Sequence, residues 1–332
     1  MRDNKVFMKN LRIIFMGTPE FAVPTLGSLL INGFDVVGVV TAPDKPSGRG
    51  LKITKSAVKL CAEDNKLAPV MQPSNLKDPE FINLLRSLNA DVFIVVAFRM
   101  LPEIVWKMPP LGTINLHASL LPDYRGAAPI NHAIINGETL TGVSTFYIDE
   151  KIDTGNILLK EEVQINPWEN AGELHDKLMK EGAKLVIKTI TDIVDNKVHV
   201  TPQPKSSGHN DSLKLAPKIH PEDCIIDWNT DAGKIYNFIR GLSPYPCARS
   251  FFSNQFTRIS FKIYECQPEI GKHFFMPGSV FSDGKNFIKF SCKDGFINIT
   301  SLQIEGKKRL NTVEFLRGFK ISEFIHQVNQ QV

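Results

Sequence analysis

Several features are scarce in this chain of 332 residues, and each scarcity narrows what it can do. The five cysteines, Cys61, Cys224, Cys247, Cys266 and Cys292, stand singly with no CxxC pair. That pattern excludes the usual zinc spacings and a disulfide framework, and it fits a reducing compartment. The thiols read as buried and without chemistry. No apolar run exceeds the seven residues from Val92 to Phe98, against the ~20 that a membrane helix needs, so no span is expected. The opening MRDNKVFMKN is too polar for a secretory leader, so the chain is expected in the cytoplasm. Neither GxGxxG nor GxxxxGKS/T occurs, which disfavours a nicotinamide or P-loop nucleotide site. There is no internal repeat and no low-complexity segment.

What is present describes a globular protein with room for two domains: 42% of residues are apolar and 22% charged. The net charge of +4 is uneven. Residues 1–200 carry 22 Lys and Arg against 23 Asp and Glu, whereas residues 201–332 carry 17 against 12. A basic excess confined to the last third suits a polyanionic partner, and equally suits solubility.

Through residue 200, short apolar runs alternate with helical spacing. Leu11 to Met16, Asp35 to Thr41, Pro69 to Gln72, Asp91 to Ala97 and Thr113 to His117 read as strands, with Phe81, Leu84, Leu85 and Leu88 marking a helix between two of them. This repetition predicts a doubly wound α/β fold, a mainly parallel sheet covered on both faces. Asp91 to Ala97, apolar on both alternations, is its central strand. Thr139 to Asp149 and Asn156 to Ile165 are further extended segments, and Ala171 to Asp195 is a long amphipathic helix. Between about 200 and 217, Pro202, Pro204, Gly208 and Pro217 read as a linker, which divides the chain into domains 1–207 and 208–332. In the second, a helix from Asp231 to Gly241 precedes β-like runs at Ala248 to Phe252, Arg258 to Glu265, Gly278 to Phe281, Phe287 to Ser291 and Phe296 to Leu302. Their spacing predicts a small OB-like β-barrel.

The first strand runs into Gly17-Thr18-Pro19-Glu20-Phe21. Thr18 is placed to cap a helix and Pro19 to occupy its first turn, leaving backbone N–H groups at the strand's carboxyl end for a polar or anionic ligand. The richest segment is Asn115-Leu116-His117-Ala118-Ser119-Leu120-Leu121-Pro122. In a strand, residues two apart share a face, so Asn115 and His117 point the same way. A carboxamide donor and an imidazole can together stabilise an oxyanion and manage a proton during acyl transfer. Asp153, at the Ile152-Asp153-Thr154-Gly155 turn, is a carboxylate able to return and pair with His117. Each piece also has an ordinary structural reading, the Asp as a turn residue above all. The segment 41–55 sets Lys45, Arg49, Lys52 and Lys55 against Asp44 among prolines and glycines. It suits phosphate contact or simply solvent, and Lys307-Lys308-Arg309 allows the same two readings.

GTPEFAVPTL from Gly17, PDKPSGRG from Pro43, NLHASLLPDYRGAAPI from Asn115 and DEKIDTG from Asp149 together resemble the folate-dependent formyltransferases, in particular those that act on methionyl-tRNA. The resemblance continues to Ile225-Ile226-Asp227-Trp228 and to Gly241-Leu242-Ser243-Pro244-Tyr245-Pro246. It implies a transferase of protein biosynthesis, carrying the formyl group of 10-formyltetrahydrofolate to methionyl-initiator tRNA for translation initiation. The first domain would bind the folate and the barrel the tRNA, with no metal, no membrane and a monomeric state. By position, the family's catalytic Asn, His and Asp fall on Asn115, His117 and Asp153. Its folate-binding stretch falls on Ser119, Leu120, Leu121 and Pro122, and its tRNA-contacting arginine on Arg49, with Lys45 and Lys52 beside it. One departure follows the central strand, where many relatives have glycine after an aromatic residue and this chain has Arg99 after Phe98. Formyltransferases of sugar amines share the Asn-x-His and Asp set. A sugar-nucleotide N-formyltransferase is therefore the alternative enzyme, and a non-catalytic tRNA-binding protein the alternative outside enzymes.

Overall fold

The computed structural model describes residues 11–47, 52–204 and 213–324. The chain divides into two compact units, the first formed by 1–129, 140–164 and 175–215 and the second by 130–139, 165–174 and 216–332. The second unit thus takes in two excursions from the N-terminal part of the chain.

In the first unit, β1 (Arg12–Gly17) and β2 (Asp35–Val40) are followed by a short antiparallel hairpin, β3 (Lys45–Ser47) and β4 (Lys52–Thr54). Next come β5 (Val70–Met71), β6 (Val92–Val96), β7 (Thr113–His117), the two-residue β8 (Arg125–Gly126), β9 (Leu140–Tyr147) and β10 (Ile157–Gln164). Seven of these form one sheet in the order β10-β9-β7-β6-β1-β2-β5. Its first five strands in chain order are parallel, and β9 and β10 are added antiparallel to their neighbours. The continuously apolar β6 lies at the centre with all five residues buried, as burial on both faces requires.

Register sorts the side chains by face. Ile14, Met16, Phe93 and Val95 meet Phe81, Ile82 and Leu85 of the helix Pro79–Ser87 on one face. Asn115 pairs with Val95 and Phe146, and His117 with Ser144, so these polar residues share that face farther along the sheet. The opposite face carries Leu116 and Thr145, covered by the helix Ala171–Val194. The approach there is close. A Cβ on Gly182 would lie 2.6 Å from Leu116 Cδ2, and the Thr145 and Thr189 hydroxyls meet at 2.8 Å.

The expected cap at Thr18 is absent. A single 3-10 turn, Glu20–Ala22, begins after Pro19, and the helix Val23–Ile31 follows from Ala22. Pro19, expected in the first turn, is instead the extended residue that precedes it, with ψ of 176°, and its carbonyl accepts from the Ala22 N–H at 3.0 Å.

The second unit is built on an antiparallel sheet of β11 (Ala248–Ser253), β12 (Arg258–Ile270), β13 (Val280–Ser282), β14 (Ile288–Cys292) and β15 (Gly295–Ile304). Their order is β11-β12-β15-β14-β13, and β16 (Leu310–Asn311) also pairs with β15. This half-barrel is OB-like. The helix Ala232–Leu242 turns Ala232, Ile235, Ile239 and Leu242 inward, one stripe of a 3.6-residue period. Phe252 stacks on Phe261 with ring centres 4.2 Å apart, and Phe290, Phe315, Phe319 and Phe324 gather round it.

Strand β12 is five residues longer than its sequence suggested and includes Pro268. Strand β11 pairs only with residues 258–263, so Pro268 is paired on one side, by β15. A missing N–H is tolerated at such a free edge.

Candidate active site

Strands β1, β2, β6 and β7 all end at the same edge of the sheet, where loops rather than ladder hydrogen bonds receive the chain. His117 closes β7 there and is 7% exposed. Its Nε2 donates to the Tyr124 carbonyl at 2.8 Å, while Nδ1 faces Asp153 Oδ2 at 3.7 Å. That separation is longer than a hydrogen bond. Asp153 Oδ2 in turn accepts from the Gly126 N–H at 3.0 Å. Two residues before His117, on the same face, Asn115 is half-buried and its carboxamide has no hydrogen-bond partner among the described residues. The structure therefore brings Asn115, His117 and Asp153 to one region.

The loop after β7 is a bonded scaffold. Ser144 Oγ donates to the Ser119 carbonyl at 2.6 Å and accepts from the Leu121 N–H at 3.1 Å. Ser119 Oγ donates to the Asp123 carbonyl at 2.6 Å, and Lys160 Nζ to the Leu121 carbonyl at 3.0 Å. Ser119 and Leu121 are fully buried, the latter against Phe146 and Ile157. Leu120 and Pro122 keep partial exposure.

Three participants had no signal of their own in the sequence. Tyr124 contributes a backbone carbonyl, which any residue could supply. Arg125 and Gln203 form a pair, Oε1 of Gln203 accepting from Arg125 Nη2 at 2.6 Å and Nε at 3.1 Å. Gln203 lies in the stretch that composition marks as linker, yet it is 9% exposed.

Arg99 ties two loops together, donating from Nη1 to the Ser74 carbonyl at 3.0 Å and from Nη2 to that of Pro73. Burial pushes its guanidinium down from the ordinary range. Arg49 lies outside the described residues. Lys45 and Lys52 belong to β3 and β4, the former exposed. The base of this hairpin is anchored: Lys59 Nζ donates to Asp44 at 2.6 Å and to Gln72 Oε1 at 2.7 Å, and the Asp44 carboxyl is held below its usual range by the hydrogen bonds from Lys59 and Gln72.

In the second unit Ile226, Trp228, Gly241 and Leu242 of the motifs are packed, whereas Ile225 and Tyr245 are exposed. Trp228 stacks on Phe290 at 4.6 Å and donates to Ser250 Oγ at 3.1 Å. Asn131 donates to the Gly241 carbonyl at 2.7 Å. Arg309 pairs with Glu265, donates to Ser301 Oγ at 2.8 Å and lies over Tyr264, and it remains exposed. Four cysteines are buried, and Cys61, contrary to expectation, is partly exposed.

Over residues 10–190 the sequence matches the family model described as formyl transferase, and over 218–320 that of the formyl transferase C-terminal domain. It is 54% identical to the methionyl-tRNA formyltransferase of Flavobacterium johnsoniae over 316 residues, covering 95% of this chain and 98% of that one. HypX from Aquifex aeolicus, in complex with tetrahydrofolic acid, is similar with a TM-score of 0.60 at 16% identity, over 92% of this chain and 46% of that one. The chain thus spans about half the length of HypX. An N-formyltransferase from Helicobacter canadensis, in complex with folinic acid and dTDP-3-aminofucose, gives a TM-score of 0.60 at 22% identity, over 90% and 99% of the two chains. At such identities these two structures speak for the fold alone.

Proposed function

The chain belongs to the formyl transferase family, and we propose that it transfers the formyl group of 10-formyltetrahydrofolate to the amino group of methionyl-initiator tRNA. One observation carries this reading: identity of 54% from end to end, through both units, to an enzyme named for that reaction. The Helicobacter sugar enzyme shares the fold at 22%, so the sugar-nucleotide alternative is the less favoured.

The geometry supports the chemistry. A carbonyl oxygen that gains negative charge needs a donor already in place. The Asn115 carboxamide, half-buried and without a partner among the described residues, fits that need. His117 is held at Nε2 by Tyr124, which leaves Nδ1 as its edge toward reacting atoms, with Asp153 Oδ2 beside it to accept a proton. In this reading the neutral amine attacks the formyl carbon. The new C–N bond forms, the bond from that carbon to the folate nitrogen breaks, and the proton shed by the amine passes by way of Asp153 and His117 while the folate nitrogen takes one up. Leu120 and Pro122 present the surface of the 119–122 stretch that meets the folate, and Ser119 and Leu121 hold the stretch in shape. Arg49, with Lys45 and Lys52, contacts the tRNA, and the basic second unit attracts its phosphates. The enzyme works as a monomer in the cytoplasm.

Incubation with 10-formyltetrahydrofolate, charged initiator tRNA and dTDP-amino sugars tests this directly. Formylmethionyl-tRNA is the expected product. Formylation of the sugars with none of the tRNA would overturn the acceptor, and formylation of neither would overturn the reaction.

A further inference from the structure

Gln203 spends its whole amide on the first unit. Nε2 donates to the Gly155 carbonyl at 2.7 Å and to the Asp153 carbonyl at 3.1 Å, while Oε1 accepts both bonds from Arg125. Arginine has only donors, so Arg125 decides which end of the amide faces the turn. The next residue, Gly126, supplies the N–H that holds Asp153 Oδ2. Five hydrogen bonds matter here because the turn is unfavourable by itself. Asp153 has a φ of 55°, in the left-handed region that costs a residue with a Cβ free energy. Gly155 lies so close to Tyr147 that an added Cβ would be 1.7 Å from its carbonyl oxygen. Such a conformation persists only where its surroundings over-determine it.

We propose that Gln203 is a positioning residue for formyl transfer: its amide sets the 153–155 turn so that the Asp153 carboxylate faces His117 Nδ1. The inference rests on the function proposed above and adds to it a residue some fifty positions away in sequence, donating across 48 and 50 residues. Without the two N–H bonds the turn relaxes toward ordinary backbone angles and carries the carboxylate away from an imidazole already 3.7 Å distant. A displacement of about 1 Å in a reacting constellation costs on the order of 10²-fold in rate.

Two variants of the full chain separate positioning from mere support. Gln203→Glu keeps the acceptor for Arg125 but sets a carboxylate oxygen against two carbonyls; Gln203→Met keeps the volume and removes both functions. With 10-formyltetrahydrofolate and methionyl-tRNA, both are expected to lower kcat by about 10-fold or more while KM for each substrate stays within about threefold, the signature of a group that serves the transition state. Both should also shift the Gly126 and Gly155 amide resonances and leave that of Gly284, in the second unit, in place. A residue that only supports the fold predicts something different: the Glu variant, with its Arg125 pair intact, would keep wild-type kcat and unshifted Gly126 and Gly155 resonances, and that result overturns the proposal. Should the Met variant fail to fold, the Glu variant decides alone. If the unaltered protein formylated no tRNA, the proposed function would fall, and the amide resonances, read without substrate, would still decide whether Gln203 sets the turn.

Discussion

At the carboxyl edge of the first unit's sheet, His117, Ser119, Ser144 and Gln203 are buried and bonded to backbone carbonyls and amides of the loops around them, while Asn115 is left without a partner among the described residues. The second unit distributes its polar groups otherwise. Rings fill its interior, Trp228 lies on Phe290, and the buried Arg240 donates to the Glu169 carbonyl at 2.8 Å. The contrast teaches where chemistry is to be sought. A half-buried polar side chain on an inner strand that no neighbour satisfies is free to meet a ligand, whereas a satisfied one is explained by the fold.

Each of four substitutions can break that contrast. The largest effect is expected for Phe252→Ala, which empties the centre of the aromatic cluster and should destabilise the second unit by about 3–5 kcal/mol in denaturant unfolding. Its kcat, measured at a temperature where the variant is folded, should stay near that of the parent. Next comes Asn115→Ala, expected to lower kcat about 10²–10³-fold, roughly 2.7–4 kcal/mol, by removing a donor aimed at developing charge. Here the unfolding midpoint should not move, and a loss of stability without a loss of rate would reverse the roles of the two regions. Ser144→Ala leaves the Leu121 N–H unsatisfied in a buried loop. About 1–3 kcal/mol of stability should go, with a raised KM for the folate co-substrate as the functional reading.

The smallest effect concerns Asp283, whose carboxyl is held well below the usual carboxylate range by the backbone N–H groups of Asn286 and Lys285. A depressed folded value means that its contribution is present above the unfolded pKa of ~3.9 and is lost as pH falls toward the folded one. Asp283→Asn should therefore lower the thermal midpoint of the second unit slightly at neutral pH. Parent and variant should converge in acid, and a difference that grew on acidification would show that the turn is held by other groups.

The placement of Asn115 and His117 on one face was legible because strand geometry is local: a period of two needs no knowledge of the rest of the chain. For the same reason β7 matches its expected range, and the doubly apolar run became the central strand. The extension of β12 beyond Glu265 through Pro268 was not legible, since whether a strand tolerates proline depends on which side its neighbour occupies. The partners of Arg309 were equally hidden, because Glu265 and Tyr264 come from another strand. Gln203 and the Tyr124 carbonyl lay beyond any reading of composition. Every residue but proline offers the same N–H and every residue the same C=O, so a hydrogen bond between a side chain and a backbone far off in sequence leaves no mark on residue identity. The sequence by itself determined the periodic elements and the residues whose chemistry is distinctive. Only the tertiary structure decided which carbonyl turns the imidazole, because the loop must bring it back over seven residues, and which amide holds the strained turn, because there segments meet across 48 to 78 residues of chain.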